Sequence, residues 1–154
     1  MMIKEISKNI LVLQGPNLNL IGVRSKQLNE RVTLDKINRC IKKKSNVLNV
    51  ALKTLQTHHS GKAVTFLQRN RNWADGLLFY PGPWALSGYD ILDTLILIQV
   101  PTIQVFFSEG FEIKDYSKNS VFSEIAVSTA TDAPYEASES ALIKMNDFLS
   151  DGNS

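Results

Sequence analysis

Side chains that could bind or protonate a small ligand collect just beyond the apolar runs of this sequence. Asn17, Asn19 and Arg24 follow the run Ile10-Leu11-Val12-Leu13 and the break Gln14-Gly15-Pro16. Amides donate and accept hydrogen bonds, and an arginine holds a fixed positive charge suited to a carboxylate or an enolate. The same asparagines could instead only satisfy turn backbone, and Arg24 taken alone could be a surface charge. His58 and His59 follow a second run, but a histidine pair with no neighbouring carboxylate is weak ground for a metal site. The plainer reading of both is structural or solvated. Tyr80, Trp84 and Leu86 surround Pro81-Gly82-Pro83. Aromatics there either line a pocket or cover a sheet edge or a contact between copies. Phe106, Phe107 and Phe111 add to the apolar count, and strand alternation puts Phe106 and Phe107 on opposite faces.

The elements that must position these groups alternate. Strands are predicted over 9–14, 49–57, 74–80, 102–107 and 125–128. The third, near-continuously apolar, reads as a central parallel strand. Helices are predicted from Thr33, as N-cap, to about 47, over 61–72 with Ser60 as cap, over 87–98 and over 133–149. Leu34, Ile37, Ile41 and Val47 form the inner face of the first helix, and Val64, Leu67 and Trp73 that of the second. Ile91, Leu92, Leu95 and Ile98 face inward in the third, and Ala137, Ala141, Leu142, Met145, Phe148 and Leu149 in the last. Residues 15–32 and 108–120 read as loops, the first long enough to be functional or mobile. Strands alternating with helices imply a parallel sheet covered on both faces, with ligands bound beyond the carboxyl ends of the strands. The 15–30 loop, the 57–61 turn, the 80–86 turn and the 106–120 loop then surround one crevice.

The bulk properties narrow the class. At 154 residues, one domain is expected, over 1–149, with 150–154 as a frayed tail. A net charge of +2 gives no argument for nucleic acid. Lys42-Lys43-Lys44 reads as the solvated end of a helix. The single cysteine, Cys40, reads as a half-buried thiol rather than a nucleophile. No signal peptide is visible and no apolar run reaches about 18 residues. No membrane contact and a cytoplasmic location are the expectations.

The stretch ILVLQGPNLNLIGVR, Ile10 to Arg24, resembles the opening motif of type II 3-dehydroquinate dehydratases (type II dehydroquinases), close to ILVLNGPNLNLLGxR. The likeness continues in register over nearly the whole chain. It runs through Thr33-Leu34, Gln56-Thr57-His58-His59-Ser60-Gly61 against QSNHEG, Ala74-Asp75-Gly76, Pro81-Gly82, Asp93, Pro101 and Ser108. The resemblance implies a flavodoxin-like, doubly wound α/β fold with a five-stranded parallel sheet. It also implies homo-oligomers, trimers stacked into dodecamers, and no cofactor or metal.

The implied reaction is an anti elimination of water from 3-dehydroquinate. A tyrosinate favoured by an arginine takes the proton alpha to the carbonyl. An asparagine and a water stabilise the enolate, and a histidine oriented by a glutamate protonates the departing hydroxyl. Carried over residue by residue, Asn17 and Arg24 are kept. The base position falls at Asn29, and no tyrosine lies between Arg24 and Thr33. An amide has no proton-accepting pKa near neutrality. The acid falls at Phe106 and its glutamate at Gln104. Polar substrate positions become Tyr80 and Leu86, with Trp84 between them, and the substrate arginine falls near Ser117. His58 and Asp93 are carried as ligand-binding positions. The backbone amides near Phe107 and Ser108, which the resemblance assigns to a substrate carboxylate, survive any side-chain change.

Three functions compete. The missing base and acid favour a homologue that has lost the dehydration and holds a more apolar or aromatic small molecule, still an acid if those amides keep their role. The second is a repurposed lyase, isomerase or cyclase drawing on Asn17, Arg24, His58, His59, Tyr80 or Asp90. The third is an authentic 3-dehydroquinate dehydratase of the shikimate or quinate pathway with relocated groups.

Overall fold

The structure, a computed structural model, describes residues 7–108 and 110–151. Five strands form one parallel sheet in the order β2-β1-β3-β4-β5: β1 Lys8–Gln14, β2 Val50–Gln56, β3 Gly76–Tyr80, β4 Thr102–Phe107 and β5 Ser128–Asp132. Five α-helices accompany them: α1 Ile21–Gln27, α2 Leu34–Leu48, α3 Ser60–Asn70, α4 Tyr89–Ile98 and α5 Pro134–Asp151. This is the flavodoxin-like, doubly wound arrangement expected. The strand order reverses between β1 and β3, and such a switch point opens a crevice at the carboxyl ends.

Alternation along each strand splits the core into two layers. Ile10 and Val12 of β1, Leu78 and Tyr80 of β3 and Ile103, Val105 and Phe107 of β4 pack with Ile37 and Ile41 of α2 and Ala137, Ala141, Leu142 and Met145 of α5. Leu11, Leu13, Leu77 and Phe79 face the other way, onto Ala63 and Leu67 of α3 and Ile91, Leu92 and Leu95 of α4. Both faces of the central strands are therefore dry.

The helix starts follow from local chemistry. Thr33 caps α2 as expected, its Oγ1 accepting the Lys36 N–H at 3.2 Å. Ser60 is instead the first residue of α3. His59 stands at the N-cap without a side-chain cap bond, and the Thr57 hydroxyl accepts the His59 N–H at 3.0 Å.

Several expectations are corrected. The 15–32 loop contains a 3-10 turn, Leu18–Leu20, and α1. Ile21 and Ser25, one turn apart, are both buried there. Val47 is 73% exposed, because the inner row runs Ile37, Ile41, Ser45 and two residues further on lies across the helix. Phe148 is 42% exposed near the end of α5, which continues to Asp151. The rest of the expected tail, 152–154, lies outside the described residues. The fifth strand is Ser128–Asp132 rather than 125–128. Ile125 packs against the α3/α4 layer instead. An edge strand needs little apolar surface, and only Ala130 of β5 is buried. The segment after β4 is not a plain polar loop, since it carries 3-10 turns at Tyr116–Asn119 and Val121–Glu124.

Candidate functional site

The chain turns sharply after β1, and Gly15 makes that turn possible. Its N–H donates to the Tyr80 carbonyl at 2.8 Å. A Cβ there would lie 2.8 Å from the Pro81 carbonyl oxygen and 2.9 Å from that of Tyr80. This close approach brings the first loop against the turn after β3. Asn17 follows in the left-handed region, at φ 69°, a conformation asparagine tolerates. Its backbone N–H donates to His58 Nδ1 at 3.3 Å.

A cavity of about 140 Å³ opens beyond β1, β3 and β4. Pro16, Asn17, Leu18, Ile21 and Arg24 form one wall. Tyr80, Gly82, Pro83, Val105 and Phe107 form the floor, and Phe111, Glu112, Ile113 and Tyr116 the far wall. Tyr80 and Phe107 meet edge to face at 5.9 Å. The Tyr80 hydroxyl points away from the cavity chemistry. It donates to Ser138 Oγ at 2.8 Å, and Ser138 donates to the Pro134 carbonyl at 2.7 Å. Burial pushes the Tyr80 phenol well above its usual range, which makes it a poor base.

The expected site residues divide. Asn17, Arg24, Tyr80 and Phe107 share the cavity wall. Asn29 does not, standing exposed after α1 at φ 59°. Phe106 is 1% exposed, on the opposite face of β4 from Phe107, in a separate cluster with Ala85 and Tyr116. Gln104 is buried and spoken for on every side. Its Nε2 donates to Ser123 Oγ at 2.9 Å and Thr129 Oγ1 at 3.0 Å, and its Oε1 accepts from Ser120 at 2.7 Å. Trp84 is buried against Phe79, and Leu86 is 39% exposed. Ser117 is held in its own turn by the N-cap Asp115, whose carboxylate accepts from the Ser117 N–H and hydroxyl. His58 and His59 are exposed, as are Asp90 and Asp93 on α4. The Ser108 N–H donates to the Asp132 carbonyl at 3.0 Å, extending the β4–β5 ladder.

Glu112 was not anticipated. Its Oε1 accepts the Phe107 N–H at 2.8 Å. Burial lifts the carboxyl to about 7, against the pull of that hydrogen bond and of Arg24. Tyr116 is raised too, by burial and by Glu112. The signal available was a lone carboxylate between Phe111 and Ile113 in a loop expected at the crevice. Among the described residues, no group of three or more His, Cys, Asp or Glu could hold a metal ion, and no helix is long and apolar enough to cross a membrane.

Fold and site define an open, doubly wound α/β protein with a small-molecule pocket at its topological switch point. The chain belongs to the class II dehydroquinase family, whose model matches residues 8–145. It is 34% identical over 117 residues to the 3-dehydroquinate dehydratase of Roseiflexus castenholzii, covering 76% of this chain and 74% of that one. It is 35% identical over 117 residues to that of Pelotomaculum thermopropionicum, covering 76% and 81%. The type II dehydroquinase of Butyrivibrio crossotus shares the fold, with a TM-score of 0.81 at 24% identity, covering 91% of this chain and 98% of that one.

Proposed function

We propose that this family member has lost 3-dehydroquinate dehydration and binds a flatter, more apolar small molecule in the strand-end cavity. The observation that carries the reading is the state of Phe106. Where the resemblance puts a proton-donating histidine stands a hydrocarbon ring sealed among Ala85 and Tyr116. Asn29, at the position of the base, is an exposed amide off the cavity wall. Each missing proton-transfer group costs about two to four orders of magnitude in rate. The cavity wall is mostly hydrocarbon and aromatic, which suits a ring better than a polyol. A second reading, a different enzyme on the same scaffold, is favoured by Glu112, a titratable carboxyl facing the pocket alongside Arg24. Assembly into trimers or a dodecamer is proposed on the resemblance alone, and light scattering on the purified protein tests it.

The decisive assay follows conversion of 3-dehydroquinate to 3-dehydroshikimate by pure protein. The expected result is no turnover above buffer. Turnover that disappears in Arg24→Ala would overturn the reading.

A further inference from the structure

An open parallel sheet offers a bound anion the backbone N–H groups at its carboxyl edge. Here those at the end of β4 are both engaged from within the chain. Ser108 N–H joins the ladder to Asp132, and Phe107 N–H is held at 2.8 Å by the Glu112 carboxyl. Glu112 thus stands where a ligand's carboxylate would have to stand. It also faces Arg24 across the same cavity, and the guanidinium acts on its charge. The pocket carries its own anion, which already takes the Phe107 amide and lies within electrostatic reach of Arg24.

From this we propose that Glu112 is the specificity-determining residue of the cavity, excluding carboxylates and selecting a small uncharged ring compound with one polar group. The inference rests on the apolar-pocket reading above and replaces the expectation of an acid. A second carboxylate would lie within about 5 Å of the first. Even at an effective dielectric of about 20 that repulsion exceeds the cost of protonating Glu112, so at pH 8 it weakens binding about tenfold, the cost of taking up a proton one pH unit above where the carboxyl titrates. An uncharged ring meets no such barrier. It lies against Phe107, Phe111 and Tyr80 while its polar group reaches Asn17 or Arg24. The size agrees, since a cavity of about 150 Å³ is known to hold one benzene ring.

The exclusion depends on Glu112 being ionised. The groups that bear on it are Arg24 from α1, Asp115 from its own loop, the Phe107 N–H from β4 and the Tyr116 phenol. Burial leaves the carboxyl titrating at about 7, so exclusion is in force at pH 8 and relaxes towards pH 6.

Benzamide and benzoate serve as probes, alike in size and shape and different in charge. Each is titrated calorimetrically against the full chain at pH 6 and pH 8, in wild type and Glu112→Gln. Benzamide is expected to bind wild type about tenfold more tightly than benzoate at pH 8, with a smaller gap at pH 6. In Glu112→Gln, whose amide oxygen still accepts the Phe107 bond, the gap closes to about twofold while benzamide affinity is kept. Equal binding of the two probes by wild type at pH 8, or an unchanged gap in Glu112→Gln, overturns the role of Glu112 and leaves the pocket reading standing. Binding of neither probe overturns the pocket reading itself, and the inference with it.

Discussion

Replacing Glu112 by glutamine should stabilise this protein in a pH-dependent way. The carboxyl titrates at about 7 in the folded chain against 4.5 when unperturbed, mainly because burial disfavours its charge. Between those values the folded state keeps a proton that the unfolded state has released. Stability therefore falls as pH rises through that window and stays at its reduced level above about 7. The full gap corresponds to about 3 kcal/mol, with only about 1 kcal/mol already lost at pH 5. Glutamine preserves the acceptor for the Phe107 N–H and carries no charge to desolvate. The variant should gain little over wild type at pH 5 and up to about 3 kcal/mol at pH 8. Urea unfolding of both proteins across that range gives the difference directly, provided the m-values agree. A gain that is the same at pH 5 and pH 8, or a variant less stable than wild type at pH 8, would refute the claim that Glu112 is held against its preferred ionisation.

Other perturbations probe the frame around the pocket. Gly15→Ala forces a methyl to within 2.8 Å of the Pro81 carbonyl oxygen, backbone that is fixed on both sides, and should lower stability by about 2 kcal/mol or more in thermal melts. Ser138→Ala leaves the buried Tyr80 hydroxyl without its acceptor, at a cost of about 1–3 kcal/mol, and adding Tyr80→Phe should recover part of it. Cys40 is raised from 9.0 to about 11 by burial and by its hydrogen bond to Glu139. Its reaction with a thiol reagent at pH 8 should run about a hundredfold slower than that of an unperturbed thiol, and Glu139→Gln should speed it.

The scaffold was legible because its signals are local and redundant. The apolar runs of β1, β3 and β4 sit in a parallel sheet, where both faces must be dry, and the opening motif specified the turn that Gly15 makes. The misplaced pieces were those whose position is set by tertiary contacts. β5 is an edge strand with one buried residue, Ala130, so the more apolar Ile125-Ala126-Val127 beside it attracted the assignment. α1 was hidden because Gly22, Ser25 and the charges around them look like loop, while its burial depends on only Ile21 and Ser25. In the site, Asn17 and Arg24 from the first loop, Tyr80 from β3 and Phe107 from β4 did come together, while Asn29, Gln104 and Phe106 face elsewhere. Leu86, Ser117 and Asp93 did not join them, since a motif position fixes where a residue falls along the chain and not which way its side chain points. Glu112 went unnoticed because no periodicity governs a loop, and only the folded chain puts its carboxyl on the Phe107 amide.

Phe106 and Gln104 make better sense as a pair than as two losses. They lie two residues apart on β4 and so share a face, where the resemblance has a histidine and the glutamate that orients it. Once the imidazole is replaced by a phenyl ring, a carboxylate at 104 would be a buried charge with nothing to orient and no cation beside it, at a cost of several kcal/mol. An amide removes that charge, and the surroundings fit an amide in detail. Two hydroxyls, Ser123 and Thr129, accept from Nε2, and a third, Ser120, donates to Oε1. This neutral network ties β4 to β5 and to the 3-10 turn at Val121–Glu124. A histidine restored at 106 would enter a cluster of Ala85 and Tyr116 with an amide below it, and a glutamate restored at 104 would lose the two hydrogen bonds that Nε2 donates and bury a charge. Single reversions should therefore lower stability without returning proton transfer. On the function proposed above, this face serves packing rather than proton transfer.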